Sequence, residues 1–191
     1  LTFQESFLRN AQDALAYLAA QPGIDTRNLM VVGHSEGGMI ALAVHNDPGT
    51  APRPVRLALI EPQYAPILGI IARQLSGQVA SAATAGLVTS QQADRLTGWI
   101  DQVVSQLRSG TPVGEIAAPP YPDATGVVQQ FQAAVTSILL NPNNARLLQT
   151  EDTLDPVELA KKVNGDQSVL VTCGTKDVNT PCEEVGALAA A

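Results

Sequence analysis

The chain has 191 residues, which suits one domain or one core with an insertion. Its formal charge is −7 at pH 7, so the composition argues against a nucleic-acid-binding protein, which needs clustered Lys and Arg. Hydrophobic residues make up 45% of the sequence, yet no apolar run reaches the about twenty residues of a membrane span. We therefore expect a globular protein with a sizeable core and no membrane span.

The chain begins with a predicted helix. Thr2 and Glu5 have the spacing of a capping box, and the helix is expected to end near the helix-breaking pair Pro22-Gly23. The apolar residues that share one face of this helix are Phe7, Ala11, Leu15 and Leu18.

Two short apolar runs follow and predict β-strands. The first run, residues 29–32, is followed by Gly33. The second run, residues 56–60, is followed by Glu61. The unbroken apolar run of the second strand is typical of a parallel strand that is covered on both faces. A helix over residues 36–45 is predicted between the two strands.

Residues 66–150 show helical periodicity and no convincing strand. Thr89 and Gln92 are placed to cap one helix, and a second helix is expected to stop at residue 141. These two apolar stripes favour a packing face of a helical insertion over the lining of a binding pocket. The stripes are Leu96, Ile100, Val103 and Leu107 in the first helix, and Val128, Phe131, Val135 and Ile138 in the second.

After residue 150 the alternation of helix and strand resumes. Residues 156–163 predict a helix, residues 168–173 a strand and residues 183–191 a further helix. The whole pattern predicts an α/β fold, a partial doubly wound parallel sheet with right-handed crossovers and a helical cap insertion. The predicted domains are an α/β core in two parts, residues 1–65 and 151–191, and a cap over the sheet edge, residues 66–150.

The pentapeptide Gly-His-Ser-Glu-Gly at residues 33–37 lies between the first strand and the following helix. This layout is typical of a nucleophile elbow, in which the serine takes a strained backbone conformation at the tip of a sheet. Because Gly33 and Gly37 have no Cβ atoms, the strand and the helix can approach each other closely, and Gly38 thins the first helical turn. Glycine-rich turns of this kind also cradle phosphates. The strand before it and the helix after it favour Ser35 as a nucleophile.

A serine nucleophile needs a base, and the base needs a carboxylate that orients it. Asp177 comes just after the strand at residues 168–173, which would place it at the same sheet edge as the elbow. The order of serine before acid also fits, so Asp177 is the predicted acid. Glu61 follows a strand too and is the competing acid. The alternative role of Asp177 is a turn aspartate that satisfies local backbone N–H groups.

The two cysteines, Cys173 and Cys182, lie on either side of the segment that contains Asp177. A disulfide between them would close this loop and would indicate secretion. The alternative is one buried thiol and one loop thiol in a reducing cytosol. We favour the disulfide.

Together these residues resemble the α/β-hydrolase superfamily, and within it the cap-bearing serine esterases and lipase-like hydrolases of bacteria. The resemblance is carried by the elbow with its strand, the acid loop at residues 174–181 and the insertion between them. It implies that the backbone N–H of Glu36 is one donor of the oxyanion hole and that the second donor comes from a loop upstream of residue 1. It also implies a histidine base after the acid in the chain.

The sequence departs from this family pattern in its histidines and its strands. The 14 residues after Asp177 contain no histidine. His34 flanks the nucleophile with its side chain directed elsewhere by the turn, and His45 lies about three helical turns beyond it, so each is expected to be a structural or surface histidine. The sheet is also short for the family. We therefore expect N-terminal strands and a histidine segment outside this sequence, and no activity in the 191 residues alone.

The predicted function is a serine hydrolase that cleaves small-molecule carboxylic esters through an acyl-enzyme intermediate. Peptidase or thioesterase chemistry would use the same groups. An acyltransferase of the same fold and a non-catalytic binding module are the alternatives. The sequence shows no metal-ligand cluster and no dinucleotide fingerprint, so neither a metal nor a cofactor is expected. The expected location is extracellular, in a bacterium.

Overall fold

The computed structural model describes residues 1–163, 165 and 167–191. The chain divides into two compact units. The helical unit comprises Leu1 and Ile67–Asp152, and the sheet unit comprises Thr2–Pro66 and Thr153–Ala191. The division into a hydrolase core and a cap stays a prediction. No helix in the described ranges has both the length and the hydropathy to cross a membrane.

The sheet unit is a mixed α/β arrangement around a three-stranded parallel sheet in the order β1-β2-β3. Its strands are β1 (Met30–His34), β2 (Arg56–Ile60) and β3 (Ser168–Thr172). The predicted second strand is confirmed residue for residue, and the third is one residue shorter than predicted. The first strand starts one residue later than predicted and runs on through Gly33 and His34 into the elbow.

Eight α-helices lie within the described residues. The helices are α1 (Arg9–Ala19), α2 (Glu36–Asn46), α3 (Ile67–Thr84), α4 (Ser90–Arg108), α5 (Gly126–Leu139), α6 (Pro142–Glu151), α7 (Pro156–Ala160) and α8 (Cys182–Ala189). A π-helical turn, Gln4–Leu8, precedes α1, and 3-10 turns occupy Thr26–Asn28 and Val113–Glu115. Thr89 and Gln92 form the predicted capping box at the start of α4.

Helix α6 was not predicted from the sequence, which indicated only that the preceding helix ends at Asn141-Pro142. The Asn141 side chain accepts a hydrogen bond from the Asn143 N–H, and Pro142 occupies the first turn, where its missing N–H has no cost. The same dipeptide that ends α5 therefore starts α6.

The helical unit has its own hydrophobic core. Leu96, Ile100, Val103 and Leu107 of α4 are all at most 1% exposed and belong to one cluster of buried residues. This burial makes the α4 stripe a packing face, as favoured from the sequence. In α5 the predicted stripe is wrong at one end. Leu139 is buried instead of Ile138, which is 39% exposed.

Strand β1 is more exposed than the central strand β2. The three middle residues of β2, Leu57, Ala58 and Leu59, are buried, as its apolar run predicts. Strand β1 pairs with β2 alone among the described strands, and its Met30 and Val32 are 53% and 58% exposed.

His45 on α2 is fully buried and is therefore a structural histidine, not a surface one. Its Nδ1 lies 3.0 Å from the backbone carbonyl oxygen of Pro54. Since a carbonyl only accepts, Nδ1 carries the proton, and Nε2 is left buried without a hydrogen-bond partner among the described residues. Burial, with a smaller contribution from the charge of Arg53, lowers the pKa of His45 below its ordinary value.

We expect this histidine to make the fold less stable in mild acid. Because the pKa of His45 is lowered in the folded state, the unfolded chain binds the proton first as the pH falls. The free energy of unfolding should therefore decrease below about pH 6.5, with a slope of at most about 1.4 kcal/mol per pH unit from this group. Urea denaturation of the wild type and of His45→Asn, which keeps an N–H donor but cannot titrate, measures the difference. Equal slopes in the two proteins would show that His45 does not titrate on unfolding.

Candidate active site

The parallel register brings three chain segments to one edge of the sheet. His34 pairs with Ile60, and Ile60 pairs with Thr172, so the three strands end level with one another. The segments that continue from them are the elbow, the Glu61-Pro62 turn and the acid loop. The predicted nucleophile and both predicted acids thus lie at the carboxyl edge of the same sheet.

Ser35 has the strained backbone of an elbow. Its φ and ψ are 55° and −123°, and Ser35 and Glu61 are the only non-glycine residues with positive φ in the described ranges. The Ser35 N–H donates to the Ile60 carbonyl at 3.0 Å, and the Ser35 carbonyl accepts from the N–H groups of Gly38 and Gln63, each at 2.9 Å. These bonds hold the strained backbone in place. Ser35 is exposed, and its hydroxyl makes no capping bond to α2.

Two glycines around Ser35 are needed, and only one of them, Gly33, belongs to the predicted pair. A Cβ added to Gly33 would overlap the backbone carbonyl of Gly37, so Gly33 is required. The predicted need for Gly37 is wrong, because a Cβ added there meets nothing within 4 Å. Gly38 takes that role instead, since its added Cβ would lie 2.6 Å from the Cβ of Pro62.

Alanine substitutions should distinguish the tightly packed Gly33 from Gly37, which has open space around it. Gly33→Ala forces the strand and the helix apart, and we expect it to lower the free energy of unfolding by about 3 kcal/mol. Gly37→Ala adds a methyl group in open space on a helix and should stabilise by up to about 1 kcal/mol. Urea denaturation of both variants tests this, and a comparable loss of stability in the two would contradict the packing described.

The N–H of Glu36, the predicted oxyanion donor, belongs to the first residue of α2. The first N–H groups of a helix have no acceptor within the helix, and the helix dipole places partial positive charge there. This N–H therefore suits an anionic oxygen next to Ser35.

Asp177 is held by its own loop. Its Oδ1 accepts from the N–H groups of Asn179 and Thr180, at 2.7 and 3.1 Å, and its Oδ2 accepts from the Thr180 hydroxyl at 2.6 Å. The Thr180 hydroxyl and N–H, followed by the Asn179 N–H, hold the pKa of Asp177 below its ordinary value. The carboxylate is thus a turn aspartate and is also fixed and ionised, as a carboxylate that orients a base must be.

The His34 side chain lies along the same edge and is directed at Glu61. Its Nε2 is 3.5 Å from Oε2 of Glu61, and the two side chains are 68% and 32% exposed. A positive charge on His34 also lowers the pKa of Asp177. The parallel pairing explains the placement, since Glu61 directly follows the partner of His34 in the register.

Glu61 is held in a strained conformation of its own. Its φ is 46°, and its N–H donates to the Thr172 carbonyl at 2.9 Å. A Cβ added to Gly174 would lie 2.6 Å from Oε1 of Glu61, so a glycine there leaves room for this carboxylate. Glu61 is therefore a neighbour of the acid loop, and its carboxylate is paired with His34.

Cys173 and Cys182 are bonded, with their Cα atoms 5.2 Å apart. The bond joins the end of β3 to the first residue of α8 and closes the loop that carries Asp177. Both ends of the acid loop are thereby fixed.

We expect loss of this disulfide to destabilise the sheet unit. A closed loop of about ten residues contributes about 2–3 kcal/mol by restricting the unfolded chain, so the double variant Cys173→Ser/Cys182→Ser should lose that much free energy of unfolding. Dithiothreitol should lower the stability of the wild type and leave the double variant unchanged. A wild type that reductant does not affect would contradict the bond.

Two residues of this edge were missed from the sequence. Thr180 is three residues after Asp177, and at this spacing a threonine hydroxyl can reach an aspartate carboxylate. This spacing could have identified Thr180 from the sequence. Gln63, whose N–H supports the Ser35 carbonyl, gave no signal because its role depends on the strand register. No group of three or more His, Cys, Asp or Glu residues that could hold a metal ion occurs in the part of the chain that the structure describes.

The chain matches no protein-family model and no curated protein. It is similar to a crystal structure described as a hydrolase from Pseudomonas aeruginosa PA01, with 20% sequence identity and a TM-score of 0.44. The match covers 96% of this chain and 59% of that one, so the chain spans about three fifths of its length.

Proposed function

We propose that this protein is a serine hydrolase that cleaves carboxylic esters through an acyl-enzyme intermediate. The observation that carries the proposal is the backbone of Ser35, an exposed serine held at φ 55° between a parallel strand and a helix. Such strain in a residue other than glycine persists only where surrounding bonds enforce it, and it clusters at active sites. Three backbone hydrogen bonds enforce it here.

In the proposed reaction, the Ser35 hydroxyl oxygen attacks the carbonyl carbon of the ester while a base takes its proton. The N–H of Glu36 donates to the oxyanion of the tetrahedral intermediate. Collapse of the intermediate expels the alcohol, which receives the proton from the base. Water then attacks the acyl-serine in the same way and releases the acid.

Neither histidine of the sequence is the base in this proposal. His45 is fully buried on α2, with Nδ1 bonded to a backbone carbonyl. Nε2 of His34 lies 3.5 Å from Glu61, and within the described residues no hydrogen bond joins the His34 ring to Ser35. Asp177, whose carboxylate is fixed and ionised, orients the base. Glu61 is the weaker choice for this role because its carboxylate has only a 3.5 Å contact with His34, whereas three hydrogen bonds fix Asp177.

A fluorophosphonate probe tests the proposal, since it reacts with activated serines only. The full-length gene product that contains this sequence should be labelled, and peptide mapping should place the label on Ser35. The 191-residue chain alone should neither be labelled nor hydrolyse p-nitrophenyl butyrate, because neither of its histidines is the proposed base. Labelling of another serine, or of none, in the full-length protein would overturn the proposal.

A further inference from the structure

The hydrogen bonds to Asp177 leave one acceptor position on its carboxylate. An ionised carboxylate has about four lone-pair positions, two on each oxygen. On Oδ1 both are taken, by the N–H groups of Asn179 and Thr180. On Oδ2 the Thr180 hydroxyl takes one. Within the described residues no other hydrogen bond to this carboxylate occurs, so the second position of Oδ2 remains.

Thr180 supplies two of these three donors and is itself well fixed. It is 5% exposed, so water does not readily replace its hydroxyl. It directly precedes Pro181, the N-cap of α8, and Cys182, which is bonded to the end of β3. The hydroxyl thus approaches Oδ2 from a rigid part of the loop.

We propose that Thr180 is a positioning residue, which orients the Asp177 carboxylate so that Oδ2 alone accepts the N–H of the catalytic base. This inference rests on the function proposed above and deepens it. Thr180 touches neither the substrate nor the base. Its hydroxyl fixes the rotation of the carboxylate, and the carboxylate fixes the ring of the base. Without the hydroxyl, Oδ2 has two open positions, and the base can bond in more than one orientation.

The test compares three variants in the full-length protein. Thr180→Val removes the hydroxyl and keeps the shape, and Thr180→Ser keeps the hydroxyl. Thr175→Val is the matched control, because Thr175 is an exposed residue of the same loop with no bond to Asp177. We expect kcat for p-nitrophenyl butyrate to fall about tenfold in Thr180→Val with little change in KM, as for loss of one hydrogen bond to a charged group. Thr180→Ser should retain at least half of the wild-type kcat, and Thr175→Val should match the wild type.

A second measurement does not depend on activity. Titration of the Asp177 carboxyl by ¹³C NMR should show a raised pKa in Thr180→Val, because the hydroxyl bond favours the charged form. Should Thr180→Val not fold, as judged by circular dichroism, the smaller Thr180→Ala replaces it in both measurements. Wild-type kcat and an unchanged Asp177 titration in the folded variant would overturn the inference while Ser35 is still labelled. Absence of Ser35 labelling in the wild type would instead overturn the proposed function.

Discussion

Replacement of Ser35 by alanine should abolish ester hydrolysis in the full-length protein. We expect kcat/KM for p-nitrophenyl butyrate to fall on the order of 10⁴-fold or more, since the residual rate would come from the oxyanion donor and binding alone. The fold should be unaffected, because the bonds that hold Ser35 involve its backbone and its side chain makes no capping bond. Thermal denaturation of both proteins checks this.

Ser168→Ala is the matched control. Ser168 is also exposed, but it lies at the first residue of β3, at the opposite end of the strand from the acid loop. The activity of Ser168→Ala should equal that of the wild type. If Ser35→Ala kept more than a tenth of the wild-type activity, Ser35 would not be the nucleophile. Transfer of the acyl group to added alcohols, faster than hydrolysis, would make the protein an acyltransferase.

The layout of this edge could be predicted because it follows from strand positions alone. Two apolar runs, residues 56–60 and 168–173, were identified as strands, and both are strands in the structure. Parallel strands that end level carry their next residues to one edge, so the placement of the elbow, Glu61 and the acid loop at that edge needed no knowledge of side-chain packing. The capping box of α4 was equally local and equally predictable.

The features that could not be predicted depend on distances between segments. Gly37 and Gly38 are indistinguishable in sequence, and only the approach of Pro62 makes Gly38 the necessary one. The position of His34 beside Glu61 follows from the register of β1 against β2, which no pattern of apolar residues specifies to one residue. In the same way, Pro142 predicts the end of one helix but does not exclude the start of another.

The two carboxylates at the edge differ in how they are held, and this predicts which of them serves the reaction. Asp177 accepts three hydrogen bonds from its own loop, which a disulfide closes. Glu61 has only a 3.5 Å contact with His34, whose side chain is 68% exposed. Asp177→Asn should therefore reduce kcat on the order of 10⁴-fold, as for neutralisation of a triad acid that orients its base. Glu61→Gln is the matched change at the neighbouring carboxylate and should reduce kcat less than tenfold, because it alters only a partly exposed contact with His34.

Steady-state kinetics on both variants, with fluorophosphonate labelling of Ser35 as a second readout, decide between the two carboxylates. In Asp177→Asn the amide oxygen can still accept from the N–H groups of Asn179 and Thr180, so the loop should keep its shape and the loss should lie in the orientation of the base. Labelling should slow together with kcat, whereas the thermal denaturation midpoint should change little. If Glu61→Gln were the more damaging change, Glu61 would be the acid, and the hydrogen bonds around Asp177 would serve only to fold the loop.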